Sequence, residues 1–78
     1  MEKLLVLEQL EQAERHLLEA HVRVDQQREI VAWLAREHRD TTLARDLLAR
    51  FEELLKVHEQ DAKRVSSVLT QLAREPAH

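Results

Sequence analysis

His38-Arg39-Asp40-Thr41-Thr42 is where two long helical patterns meet, and reading it decides the fold. Asp40, Thr41 and Thr42 each carry a side-chain oxygen that can accept a hydrogen bond from the free amides of a starting helix. Asp40 is the first choice for this cap and Thr41 the second. A helix ending just before them would ordinarily place glycine in the left-handed region, but the chain has none. His38 is the best substitute, since histidine is enriched among the non-glycine exceptions, and an ordinary loop histidine is the alternative. The connection is short enough to require an antiparallel hairpin.

Upstream of this turn, Val6, Leu10, Ala13, Leu17, Ala20, Val24, Gln27, Val31 and Leu34 step alternately by four and three. That is the seam of a helix packed along its whole length. Downstream, Ala44, Leu47, Phe51, Leu54, His58, Asp61, Val65, Val68 and Leu72 repeat the stepping, with His58 and Asp61 as the breaks. A parallel row, Leu48, Leu55, Ala62 and Leu69, widens this second stripe beyond what one neighbour can cover. Acids four residues before bases (Glu11 and Arg15, Glu19 and Arg23, Asp46 and Arg50, Glu52 and Lys56, Glu59 and Lys63) fall off the seam, on the sides meant for water. The expected fold is all-α: helix 1 over about 2–37, a turn over about 38–41 and helix 2 over about 42–75, stopped by Pro76 with Ala77 and His78 frayed. At 1.5 Å per residue each helix is about 50 Å long.

Composition narrows the chemistry. The chain has 78 residues, 35% of them charged, no glycine, no cysteine and one proline. One small helical domain is expected. Disulfides, thiolate metal sites, cysteine nucleophiles and glycine-rich phosphate loops are excluded. The apolar run at the N-terminus is too short for a signal sequence, and no stretch approaches membrane-spanning length, so a soluble cytoplasmic protein is expected. Residues 1–39 carry six basic and eight acidic groups, and residues 40–78 six and seven. Neither half is a basic arm, which disfavours nucleic acid. A nucleic-acid-binding bundle would need Arg15, Arg23, Arg28 and Arg36 to gather on one surface.

A two-helix layer covers its seam but leaves its flanks wet. The leftover apolar residues are Leu18, Ile30 and Trp33 on helix 1 and Leu48, Leu55 and Leu69 on helix 2. Burying a large apolar side chain contributes roughly 1.5–3 kcal/mol, so hiding such flanks in a second copy outweighs the weak stability of a lone hairpin. The expectation is a homodimer packed as a four-helix bundle through those six residues, with another protein as a further partner.

Five histidines raise the question of metal. Ligand pairs on one helix need a spacing of three or four, which His16 and His21 lack, and no histidine within the helical stretches follows a glutamate by three. In the hairpin, positions summing to about 80 meet, which would bring His21 and Asp25 towards His58 and Asp61. These four are the candidate metal ligands. The competing reading is a hydrogen-bonded polar layer of Gln27, His58 and Asp61 that fixes register at some cost in stability. Ser66 and Ser67 lack the sharp turn that exposes a nucleophile, and a hairpin has no cleft for paired carboxylates, so neither an enzyme nor a cofactor is expected.

The segments Ala13-Glu14-Arg15-His16, Gln27-Arg28-Glu29-Ile30-Val31, Asp40-Thr41, Leu47-Leu48, Phe51-Glu52 and His58 together resemble a group of short, uncharacterised helical-hairpin proteins of soil and plant-associated alphaproteobacteria. The resemblance spans roughly residues 13–69. It implies a helical hairpin of bacterial origin and carries no activity with it. Members of that group typically have glycine where this chain has His38.

Overall fold

Helix α1 spans Glu2–Arg36 and helix α2 spans Thr42–Arg74, packed against each other as an antiparallel hairpin. The computed structural model describes residues 2–74; the expected last residue of the second helix, Glu75, the stop at Pro76 and the end at Ala77 and His78 lie outside them. The Cα envelope measures 66 × 14 × 13 Å, a long narrow rod.

The turn is held by local hydrogen bonds from both helix ends. His38 sits at φ 55°. Its amide donates to the Ala35 carbonyl at 3.1 Å, and the Arg39 amide reaches back to Leu34 at 2.9 Å. This pair of bonds is the Schellman ending of a helix, with histidine in the place usually given to glycine. The Arg39 guanidinium then lies 5.5 Å from the centre of the Trp33 ring, a cation–π contact that folds the chain back over the helix end. On the far side, the Asp40 carboxylate accepts from both the amide and the hydroxyl of Thr42, at 2.9 and 2.7 Å. Those bonds hold the Asp40 carboxyl below its usual range, since they favour the charged form. Thr41 occupies the cap position in the backbone: its carbonyl accepts the Arg45 amide, while its hydroxyl accepts from Arg45 Nε. The two candidate caps thus divide the work.

A left-handed residue with a Cβ carries a steric cost of about 1–2 kcal/mol, partly offset by the restriction that the same Cβ imposes on the unfolded chain. His38→Gly should therefore stabilise the hairpin by about 0.5–1 kcal/mol, read as a melting temperature several degrees higher. An unchanged or lowered melting temperature would show that the imidazole contributes more than its backbone strain costs.

In α1, the residues that are not exposed are the nine of the predicted row, Val6 through Leu34. Ala13, Ala20, Val24, Gln27 and Val31 are buried, and Val24 most deeply. These are mostly small side chains covered by larger ones from α2, and no residue of α2 is itself fully buried. That asymmetry is the signature of a single layer: the larger residues close over the smaller, and their own backs stay wet. Gln27 is the polar member of the row, and its Nε2 donates to the Ala44 carbonyl at 2.9 Å, tying the last third of α1 to the first turn of α2.

In α2 the observed seam differs from the expected one. Ala44, Phe51, His58, Val65 and Leu72 are half-buried as predicted, but between them come Leu48, Leu55, Ala62 and Leu69. Leu47, Leu54 and Val68, expected in the seam, are 41%, 49% and 43% exposed. The helix is rotated so that the unbroken apolar row faces α1 and the row containing Asp61 faces outward. Leu48, Leu55 and Leu69, expected to meet a second copy, close the hairpin itself.

Candidate functional site

The two sides of the hairpin differ in chemistry. On one side α1 carries Glu14, His21 and Arg28 at heptad spacing, opposite Glu52, Glu59 and Ser66 of α2. Arg28 lies 3.6 Å from Glu52 across the helices and 3.8 Å from Asp25 on its own helix. The shallow groove on this side is lined by Leu10, Leu17 and Ala62 of the seam and edged by Glu14, Glu59, Lys63, Ser66 and Ser67. It is a wet, charged face.

The other side is apolar along α2. Leu43, Leu47, Leu54, Val57 and Val68 are all exposed, and they alternate by four and three with Arg50, Asp61 and Arg64 as the polar members. This is a second heptad stripe, running beside the seam and pointing away from α1. Ile30 and Trp33 extend it onto α1 next to the turn, each about half exposed. Open grooves follow one another along this face: the first between Leu34 and Leu43, Leu47 and Arg50 near the turn, the next between Glu19, Arg23 and Leu54, and the third around Val57, Asp61 and Arg64. None is a closed cavity. The arrangement offers area rather than a chemical pocket.

Of the six residues expected at a dimer interface, Ile30 and Trp33 lie on this Trp33 face. Leu18 is exposed on the charged side instead, and Leu48, Leu55 and Leu69 are in the hairpin seam. Leu43, Leu47, Leu54, Val57 and Val68 take their place as the free apolar residues of α2. One signal in the sequence identified the inward row: Leu48, Leu55, Ala62 and Leu69 are uninterrupted, whereas the row of Leu47, Leu54 and Val68 is broken by a carboxylate.

The expected metal quartet does not assemble. His58 is half-buried in the seam and faces His16, with ring centroids 5.7 Å apart and planes tilted by 52°. His21 is on the charged side, Asp25 pairs with Arg28, and the Asp61 carboxylate is held by Arg64 one turn further along its helix. Among the described residues no group of three or more histidine, aspartate or glutamate side chains is placed to hold a metal ion. Of the proposed polar layer, Gln27 is buried and bonded, His58 is half-buried in the seam, and Asp61 is half-buried at the seam's edge, where Arg64 holds its carboxylate. The four arginines of the nucleic-acid alternative do not converge: Arg28 is engaged by acids on the charged side, and Arg23 lines the groove on the other.

The chain exposes 6584 Å², whereas a globular monomer of 9.2 kDa exposes about 4,900 Å². No described helix is long and apolar enough to cross a membrane. No protein-family model, curated protein or solved structure matches the chain.

Proposed function

We propose that the protein is a non-enzymatic interaction module whose hairpin pairs with a second copy of itself to form a four-helix bundle, leaving the charged faces outward to meet another protein. One observation carries this reading: the exposed heptad stripe of Leu43, Leu47, Leu54, Val57 and Val68 beside Ile30 and Trp33. A row of this periodicity is what one helix presents to another, and it is long enough to engage a partner helix over most of its length. The area supports the same conclusion. The surplus of roughly 1,700 Å² over a globular monomer exceeds the ~800 Å² per partner that a standard interface buries. The shallow grooves, the absence of a metal cluster among the described residues and the engagement of Asp25 and Asp61 by arginines leave binding as the function that the face can perform.

Size-exclusion chromatography with light scattering tests the self-association. The expected result at micromolar concentration is twice the 9.2 kDa chain mass; the mass of one chain, with helicity retained, would overturn the reading.

A further inference from the structure

We propose that the two copies meet through their Trp33 faces about a two-fold axis that crosses the helices, with each α2 antiparallel to the other α2. The register sets Leu54 against Val57, Arg50 against Asp61 and Leu43 against Val68 of the second copy. This rests on the self-association proposed above and specifies how the copies meet.

When antiparallel helices meet along heptad stripes, a member followed by a step of three lies opposite one followed by a step of four, so allowed registers differ by whole heptads. In the register named, Leu54 meets Val57 and Leu43 meets Val68, and the Arg50 guanidinium meets the Asp61 carboxylate. The two-fold makes each pair occur twice. Leu47 falls opposite Arg64, whose aliphatic stem can cover it while its charged end stays beside Asp61. Among the described residues Arg50 has no ion pair within its own chain, so it is free to take a partner from outside.

The competing arrangements pair poorly. A shift of one heptad towards the turn sets Leu43 against Asp61 and Leu54 against Arg50, keeping one apolar pair. The opposite shift sets Val57 against Asp61 and Leu54 against Arg64, keeping none. Turning the axis parallel to the helices would lay α2 over α1 of the second copy. Leu54 would then face Arg23 and Val57 would face Glu19, and only the turn ends would match. Opposing apolar groups to charges forfeits burial and strips water from the charges, so each of these loses to the first register.

A second feature, on the other helix, points to the same axis. In the hairpin, Leu54 lines one groove with Glu19 and Arg23 of α1, and Val57 lines the next; His16 borders both. The axis that pairs Leu54 with Val57 also brings Glu19 and Arg23 of each copy close to those of the other, an acid and a base on each side. Neither residue has an ion pair within the chain among the described residues. The α1 charges are thus complementary about the centre that the α2 stripe selects by itself.

The chain has no cysteine, so introduced thiols report the packing without interference. A disulfide forms only where Cα atoms approach within about 7 Å. Mixtures of two single-cysteine variants are oxidised and the covalent dimers counted, after light scattering on the parent chain has measured its mass. L43C mixed with V68C should give a covalent heterodimer, because these positions meet only between copies and each lies far from its own equivalent across the axis. L43C mixed with D61C should give none, and neither should L43C mixed with W33C. Cross-linking of the D61C mixture alone would mean a one-heptad shift, and of the W33C mixture alone an axis parallel to the helices; either overturns the register while leaving the dimer. A dimeric parent with no cross-link in any mixture overturns it as well. A parent chain that runs as a monomer removes the self-association itself.

Discussion

Leu54→Asp should convert the assembly to single chains, while Leu18→Asp, an equal change at an exposed leucine on the charged side, should leave its mass unchanged. Leu54 is about half exposed in the hairpin and lies in the middle of the Trp33 face, so its burial is completed only by a partner. Each copy loses about half the transfer free energy of one leucine, about 0.8–1.5 kcal/mol, and the two-fold doubles this to about 1.5–3 kcal/mol per dimer. That weakens association roughly 10- to 10²-fold, before the cost of bringing two carboxylates towards a dry centre is added. Light scattering over a concentration series reads the mass, and far-ultraviolet circular dichroism reads helicity alongside it. A hairpin whose folding is linked to pairing should also lose helix on dilution, since binding of the second copy stabilises the folded form by mass action. A Leu54→Asp chain that stays dimeric while Leu18→Asp dissociates would put the interface on the wrong side of the molecule.

Why Leu54 and not Leu55 faces out is also where the sequence was hardest to read. All nine inward positions of α1 are legible, because neither neighbouring row is apolar along the helix: Glu14, His21 and Arg28 lie on one side of them and His16 and Arg23 on the other. In α2 two adjacent rows are apolar, one through Leu47, Leu54 and Val68 and the other through Leu48, Leu55, Ala62 and Leu69. Neighbouring rows differ by one residue, about 100° around a helix. Burial of either would satisfy the hydrophobic periodicity. What separates them energetically is Asp61, which costs little on the flank beside Arg64 and would cost more inside. The same rotation explains the failed metal quartet. With α2 turned this way, His58 looks towards His16 rather than towards the side that carries His21.

The turn was more legible than the face it leads to. Asp40, Thr41 and His38 act through local hydrogen bonds to backbone groups within a few residues, so their chemistry is contained in the sequence around them. The Trp33 face is a property of two helices and the angle between them. Ile30 and Trp33 join Leu43 and Leu47 only because the hairpin sets the end of one helix beside the start of the other.

The same long-range dependence gives Gln27 its role, which two substitutions should separate. Gln27→Ala removes the 2.9 Å bond to the Ala44 carbonyl and leaves a gap among the most buried residues of the chain. The hydrogen bond contributes about 0.5–1.5 kcal/mol, and each lost buried methylene about 0.8 kcal/mol. The total, about 2 kcal/mol, corresponds to a melting temperature lower by roughly 8–16 °C for a domain of this size. Gln27→Leu refills the gap and turns the row from Leu17 to Leu34 wholly apolar. The Ala44 carbonyl keeps its helical bond, so no buried acceptor is orphaned and the melting temperature should stay near that of the parent. What leucine cannot do is choose a level. An apolar row slides against another with little preference, whereas the Gln27 amide is satisfied only when α2 begins opposite it. The Gln27→Leu chain should therefore melt like the parent yet show more than one set of backbone amide resonances, where the parent shows one. A single set of sharp resonances would mean that the turn alone fixes the register, and a Gln27→Leu chain as unstable as Gln27→Ala would make the side chain a contributor to stability alone.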